Sequence, residues 1–339
     1  MKGSLFFSSV FETGIFIPKI KLELKYPWPK PKFIIVDNLV NSKPSVLANL
    51  KTITGQDITF YEGDIRDHKL MNRIFETENL DAVLHFAALK SVGESFEQPL
   101  EYYGNNVKGT IYLMDAMERY GVKTIIFSSS ANIYGLQDQL PITENMPTGD
   151  VTNPYGRTKF MMEEILKDVQ KSRSDWSVTL LRYFNPVGAH DSGLIGEDPD
   201  GVPSNLMPYI AKVANGELDK VAVFGDDYPT PDGTGVRDYI HVVDLAKGHT
   251  AALNKVGKTE GTHIYNLGTG IGVSVLELIT SYETACGKKL SYDIKPRRKG
   301  DAPASYADTS KANKELEWQT TKSVADMCQD SWRWVSNKS

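Results

Sequence analysis

Tyr155 and Lys159 stand four residues apart in Tyr155-Gly156-Arg157-Thr158-Lys159, just after Thr152-Asn153-Pro154. Thr or Asn can cap a helix at that point, and Pro154 suits its first position. Residues at i and i+4 share one helix face, so the spacing predicts a phenol beside an ammonium. An ammonium lowers the pKa of a neighbouring phenol, about 10 in water, and makes phenolate an accessible base. Spacing alone does not single out the pair. Tyr26 and Lys30 repeat it, but Pro27 and Pro29 argue against a helix there.

The elements that must position this pair are legible from residue 32 onward. Apolar runs at Lys32–Asp37, 58–64, 81–88, 123–128 and 178–183 read as strands. Amphipathic patterns at 70–78, 99–120 and 154–170 read as helices between them. Buried runs alternating with helices predict an α/β fold with a doubly wound, Rossmann-like parallel sheet. After Asn185 the texture changes: Gly and Pro become frequent between 186 and 208, and irregular stretches run to Arg237. This predicts a smaller C-terminal substrate lobe at the strand ends, where open α/β sheets bind ligands. Segments 238–243 and 263–267 are expected to return to the main sheet. The expected organisation is an atypical segment 1–31, a dinucleotide-binding unit 32–184, and a lobe 185–339 interleaved with the sheet.

The leading residues depart from this plan. A dinucleotide fold opens with a strand and a glycine-rich turn, about 20 residues before an acid that holds the adenosine ribose. Asp37 suits that acid, yet only Gly3 and Gly14 precede it, and Tyr26-Pro27-Trp28-Pro29-Lys30-Pro31 resists helix and central strand alike. Residues 20–24 alternate like a strand but supply no glycine turn. The expectation is that the first strand and its turn are missing or replaced. Residues 4–18 are apolar, but Glu12 interrupts them and no clear small-residue cleavage site follows, so no targeting signal is read there.

Composition excludes several classes of function. Of 339 residues, 40% are hydrophobic and 24% charged, as in ordinary soluble proteins. A net charge of -5 without a basic run gives no footprint for nucleic acid. No apolar run reaches membrane-spanning length. Cys286 and Cys328 form neither a disulfide framework nor a zinc pattern, and no metal site is expected. A cytoplasmic setting is the expectation.

From Lys32 onward, over roughly nine-tenths of the chain, the sequence resembles the UDP-glucose 4-epimerases of the extended short-chain dehydrogenase/reductase family. The resemblance rests on an ordered series: Asp37-Asn38-Leu39, Gly63-Asp64-Ile65-Arg66-Asp67, His85-Phe86-Ala87-Ala88-Leu89-Lys90-Ser91-Val92-Gly93-Glu94-Ser95 and Tyr102-Tyr103-Gly104-Asn105-Asn106-Val107. It continues through Ser128-Ser129-Ser130-Ala131-Asn132-Ile133-Tyr134-Gly135, Asn153-Pro154-Tyr155-Gly156 and Leu181-Arg182-Tyr183-Phe184-Asn185-Pro186. It ends with Phe224-Gly225-Asp226-Asp227-Tyr228, Gly235-Val236-Arg237-Asp238-Tyr239-Ile240-His241 and Arg297-Arg298-Lys299-Gly300-Asp301.

The resemblance implies inversion of C4 of a nucleotide sugar by oxidation to a 4-keto sugar, turnover of the ketone and reduction from the other face. Tyr155 would be the base, Lys159 would lower its pKa and hold the nicotinamide ribose, and Ser130 would bond the sugar hydroxyl. For NAD it implies Asp37, Asn38, Asn41 and Ser42 at the adenosine ribose and Asp64 and Ile65 beside adenine. Phe86, Ala87 and Ala88 would lie beneath the cofactor, with Lys90, Asn105 and Phe184 near it. An acid at position 37 favours NAD over NADP. For the UDP-sugar it implies Asn185, Asn205, Leu206 and Phe224, an Arg237–Arg298 clamp on the diphosphate, and Asp301 at the uridine ribose. Ser305 would gate the pocket beside the sugar's C2, where a small residue leaves room for an N-acetyl group. The family also implies a homodimer through helices such as 99–120 and 154–170.

Taken singly, Ser130 reads as a turn serine, Asp64 as a turn acid and the two arginines as surface charge; the ordered series outweighs those readings. The runner-up is a catalytically impaired paralogue that binds a UDP-sugar or a partner without turnover. A nucleotide-sugar 4,6-dehydratase would need an Asp-Glu pair after Ser130, where Ala131-Asn132 stand.

Overall fold

The computed structural model describes residues 4–8, 32–198, 201, 203–257, 259–298 and 300–338. Its main sheet contains β1 (Ser4–Ser8), β2 (Lys32–Asp37), β3 (Thr59–Glu62), β4 (Ala82–His85), β5 (Thr124–Ser130), β6 (Ser177–Tyr183) and β10 (Gly261–Leu267). The strand order is β10-β6-β5-β4-β1-β2-β3, with every pair parallel. The parallel, doubly wound architecture read from the sequence is the one observed.

One part of that expectation is corrected. The first strand is not missing: Ser4–Ser8 lies at the centre of the sheet, between β2 and β4. Its side chains alternate between the two faces. Phe6 joins the core under one set of helices, while Leu5 and Phe7 join the other. All three are fully buried, and each apolar side chain buried this way contributes roughly 1.5–3 kcal/mol. The glycine-poor stretch from 9 to 31, including 20–24 and the proline run, lies outside the described residues.

The helices follow from local chemistry. They are α1 (Ser45–Thr54), α2 (His68–Glu78), α3 (Val92–Glu97), α4 (Pro99–Tyr102), α5 (Gly109–Arg119) and α6 (Pro154–Ser172). Asp67 caps α2 by accepting from the Lys69 and Leu70 amides. Between α4 and α5, residues Tyr103–Lys108 are wound as a π-turn, a distortion that often marks functional positions. Pro154 occupies the first turn of α6 and Asn153 caps it.

The second lobe is built from β7 (Asn185–Val187), β8 (Val221–Phe224), β9 (Val236–His241), β11 (Gly272–Ser274), β12 (Tyr292–Lys295) and β13 (Ala304–Ser305). Its helices are α7 (Leu206–Ala214), α9 (Val275–Cys286) and α11 (Val324–Ser336), whereas α8 (Val242–Val256) and α10 (Ser310–Glu315) pack in the main-sheet core with Leu5 and Phe7. As expected, 263–267 returns to the main sheet, at the edge beside β6. Segment 238–243 does not. β9 pairs with β7, β11 and β13 in a separate small sheet, and the chain enters α8 immediately after His241. Three partners on β9 leave that strand no free edge to offer the main sheet.

Candidate active site

The carboxyl ends of β2, β3 and β4 open onto one crevice. Its lining brings together Asp37, Asn38, Asn41, Asp64, Ile65, Phe86, Ala87, Ala88 and Asn105. Asp37 is buried and orders its own loop, accepting from the Leu39 amide at 2.7 Å and the Ser42 hydroxyl at 3.0 Å. Asp64 accepts from both Nε (2.9 Å) and Nη2 (2.7 Å) of Arg66 and from Asn38 at 3.1 Å. Burial alone would raise the Asp64 carboxyl, but the Arg66 and Asn38 bonds hold it below the usual carboxylate range. Ser42 thus acts on the crevice through Asp37. Phe184 sits elsewhere, in a buried cluster with Ile133, Tyr134 and Ala307 behind the Ser130 turn.

Beneath this crevice lies a polar network that the sequence reading missed. Ser8 Oγ accepts from the Phe86 amide at 3.0 Å and the Ala87 amide at 3.3 Å, and it lies 2.6 Å from His85 Nδ1. On the other side, His85 Nε2 lies 2.7 Å from Thr110 Oγ1, which donates to the Asn106 carbonyl. Thr110 cannot donate that proton to His85 as well, so Nε2 donates to Thr110 and Nδ1 accepts from Ser8. His85 is therefore held neutral. Burial, with Lys159 adding to it, pushes the ring's pKa down to about 3.

Asn106 projects from the π-turn. It accepts from the Leu89 amide at 2.8 Å and donates to the Leu89 carbonyl at 2.9 Å and to Thr158 Oγ1 at 3.0 Å. The neighbouring Asn105, the residue expected to matter, donates to Asn106 Oδ1. The double asparagine was the available signal; only the local winding shows which of the two is structural. Nothing in the sequence marks Ser8.

The helix carrying Tyr155 and Lys159 is set by its first turn. Asn153 Oδ1 accepts from the Gly156 amide at 2.7 Å. A side chain at Gly156 would come within 3.3 Å of Asn132, so the turn after Ser130 and the start of α6 lie in contact. Ser130 is buried, and its hydroxyl accepts from the Asn132 backbone and side-chain amides at 3.2 and 3.1 Å. Thr158 donates to the Tyr155 carbonyl at 2.7 Å, which ties Tyr155 to the Asn106 network. Lys159 is buried and donates to the Ser128 carbonyl at 2.6 Å, with its ammonium 4.9 Å from the centre of the Phe127 ring. Tyr155 itself is half-buried. The three expected catalytic residues therefore belong to one packed unit of β5, the turn after it and α6.

The second lobe gathers the other set. The guanidinium of Arg298 lies over the Phe224 ring at 4.3 Å, and Asp301 lies 3.6 Å from Arg298 and 3.9 Å from Arg237. Ser305 pairs in register with Arg237. The strand of Ser305 is tied to the Ser130 side of the molecule, because the Ile142 amide donates to the Tyr306 carbonyl at 2.9 Å. Asn205 precedes α7, Leu206 begins it, and Asn185 is exposed at the start of β7. Lys90 and Asn205 both donate to Glu197, at 3.2 Å each, a residue not singled out from the sequence. Among the described residues, no cluster of three or more His, Cys, Asp or Glu could hold a metal ion.

This sheet, with a tyrosine and a lysine on the helix beside Ser130, has the construction of the dinucleotide-binding dehydrogenases and reductases. A family model described as GDP-mannose 4,6 dehydratase matches residues 32–331. The UDP-glucose 4-epimerase of Neisseria meningitidis serogroup B is 56% identical over 304 residues, covering 90% of each protein. The Bifidobacterium longum UDP-glucose 4-epimerase, solved in complex with NAD+ and UDP, superposes with a TM-score of 0.93 at 52% identity over 98% of both chains. The Stenotrophomonas maltophila UDP-glucose-4-epimerase, solved with NAD and formylated UDP-arabinopyranose, gives 0.94 at 46% identity over 99% of this chain and 98% of the other. The chain belongs to the UDP-glucose 4-epimerase family.

Proposed function

We propose that this chain inverts C4 of UDP-glucose and UDP-galactose through a 4-keto sugar, with NAD held in the β2–β4 crevice. The observation that carries this reading is the packed unit of Ser130, Tyr155 and Lys159, linked to the crevice through Asn105, Asn106 and Thr158. The unit is also close to the Arg298–Asp301 turn, where a side chain at Gly300 would lie 3.4 Å from Thr152. The crevice fits the adenosine half of NAD. Asp37 ends β2 where an acid meets the ribose, and Ala87-Ala88 keep the floor low. In this reading Asp37, Asn38, Asn41 and Ser42 serve the ribose, Asp64 and Ile65 flank adenine, and Phe86, Lys90, Asn105 and Phe184 support the rest. NAD, when bound, supplies a reversible hydride acceptor. Tyr155 takes the proton of the sugar hydroxyl and later returns it. Lys159 stabilises the phenolate charge, and Ser130 orients the hydroxyl. Arg237 and Arg298 hold the diphosphate, Asp301 the uridine ribose, Phe224 the base, and Asn185, Asn205 and Leu206 the groups between.

The test is to purify the chain, quantify bound NAD after denaturation, and follow conversion of UDP-galactose to UDP-glucose. Bound NAD with turnover is expected. NAD bound without turnover would favour an impaired paralogue. A dehydratase is disfavoured because Ala131-Asn132 supply no carboxylic acid after Ser130.

Ser305 adds a specificity. It is half-buried beside Arg237 and small, so the chain should also turn over UDP-N-acetylglucosamine, and Ser305→Tyr should remove that activity while sparing the plain hexoses. An unchanged ratio of the two activities in the variant would refute the gate. Homodimerisation through α3–α6 is supported by an apolar surface on those helices: Leu100 is 85% and Phe96 57% exposed, with Ile111 and Met161 also exposed. Light scattering on purified protein checks it.

A further inference from the structure

We infer that Glu197 and Asp198 form a two-carboxylate latch that ties the cofactor-side sheet to the UDP-side lobe and positions Lys90 and Asn205; this rests on the function proposed above. Glu197 Oε1 accepts from Lys90, which follows β4, and from Asn205, which precedes α7, both at 3.2 Å. One oxygen thus bridges a residue assigned to the cofactor and a residue assigned to the UDP-sugar.

Asp198 repeats the arrangement. Its Oδ2 is 2.7 Å from Nζ of Lys43, in the loop after β2, and its Oδ1 is 2.6 Å from Nζ of Lys338, which follows α11. The backbone leading into the pair is pinned from both sides as well. Asn49 of α1 donates to the Leu194 carbonyl at 2.8 Å, and Trp334 of α11 donates to the Glu197 carbonyl at 3.3 Å.

The charged contacts are partly exposed, with side-chain accessibilities of 30% for Glu197, 37% for Lys90, 28% for Asp198 and 52% for Lys43, and a lone pair of that kind contributes little. Two adjacent carboxylates, each linked to both lobes, behave differently. The backbone is already fixed at both ends, so each bond forms without ordering a free segment. The consequence is a fixed spacing between Lys90 and Asn205. Both ligands then meet groups already in register, and occupancy of one site favours the other by a coupling that must be reciprocal.

The experiment uses the purified holo protein. Glu197→Ala should weaken UDP binding by calorimetry roughly fivefold and raise KM more than it lowers kcat. It should also speed loss of NAD on gel filtration. Glu197→Gln keeps an acceptor for Asn205 and should recover part of the UDP affinity, which also guards against a poorly folding alanine variant. In a Glu197→Ala, Lys90→Met double variant, the effects on NAD retention should be less than additive. Unchanged UDP affinity, or fully additive effects, would overturn the latch. Tighter UDP binding in Glu197→Ala would also overturn it, by marking the carboxylate as an anion standing in the phosphate's place. Failure of the wild-type chain to bind UDP would strike the proposed function itself and the latch with it.

Discussion

Ser8, His85, Asn106 and Thr110 are at most 1% exposed, while in the second lobe the side chains of Arg237, Asp301 and Arg298 are 21%, 35% and 53% exposed. The buried set is bonded to backbone amides and carbonyls at 2.6–3.3 Å. In the exposed set both arginines reach Asp301 only at 3.6–3.9 Å, and the short bond is the one Arg237 donates to the Val236 carbonyl at 2.8 Å. The first arrangement is complete without a ligand and tolerates no loss of a partner. The second is looser, and under the proposed function both guanidinium groups exchange Asp301 for phosphate oxygens. Substitutions on the cofactor side should therefore register in stability or in the chemical step, and those on the nucleotide side in substrate affinity.

The sharpest separation comes from Tyr155. Its side chain is half-buried and its backbone is fixed by Thr158, so Tyr155→Phe removes a hydroxyl without disturbing the helix. Loss of a general base costs roughly 10²–10⁴ in rate. Steady-state assays should show kcat falling by that factor while UDP binds as in the wild type. A variant retaining near-normal kcat would remove Tyr155 from the chemistry.

Next in size is Asn106→Ala. It strips both Leu89 backbone groups and the Thr158 hydroxyl of a partner, and a buried group left unsatisfied costs about 1–3 kcal/mol. Urea unfolding should show a loss of about 3 kcal/mol. A variant as stable as the wild type would mean that water replaces the amide there, and that this side is less closed than its burial implies.

The same side should respond to pH. Burial pushes His85 down to about 3 and His249 to about 4, against 6.5 for a histidine in the unfolded chain. Below pH 6.5 the unfolded state takes up protons that the folded state refuses, so stability falls as pH falls, by about 1.4 kcal/mol per unit for each histidine. Burial raises Glu144 and Asp238, less strongly, and this opposes the slope. Thermal melts between pH 7 and pH 4.5 should drop steadily, and His85→Gln should flatten the curve. A flat wild-type curve would contradict the neutral, network-held ring.

How far each side could be read from the sequence follows the same division. The nucleotide-side residues and the Tyr155–Lys159 pair sit in long motifs whose residue types announce their chemistry, and the five strands from Lys32 onward carry apolar runs long enough to stand out. β1 was missed because five residues buried on both faces show no period, and Ser4-Leu5-Phe6-Phe7-Ser8 lacks the glycine turn by which a first strand is usually found. β9 was misplaced because a buried strand looks the same in either sheet; its partners, not its own residues, decide where it goes. Ser8, Asn106 and Glu197 act through distant partners, separated by 77, 17 and 107 positions in the bonds that define them. No local pattern encodes a contact of that range.

The smallest expected effect tests the exposed side. Arg298 is half-exposed, lies over Phe224 and has Asp301 as its charged neighbour. A partly exposed charge contact of this kind is worth about 1 kcal/mol, so Arg298→Ala should raise the KM for UDP-galactose roughly fivefold. The melting temperature should stay within about a degree, because Asp301 is still faced by Arg237 and a surface substitution away from the core shifts stability little. Arg298→Lys separates two roles. It keeps the charge but loses the planar group that lies on the ring and can meet two phosphate oxygens at once. If lysine restores the affinity, charge alone matters. If it does not, the stacked geometry sets the nucleotide's position. A large drop in melting temperature for either variant would erase the contrast, by placing Arg298 in the same closed class as Asn106.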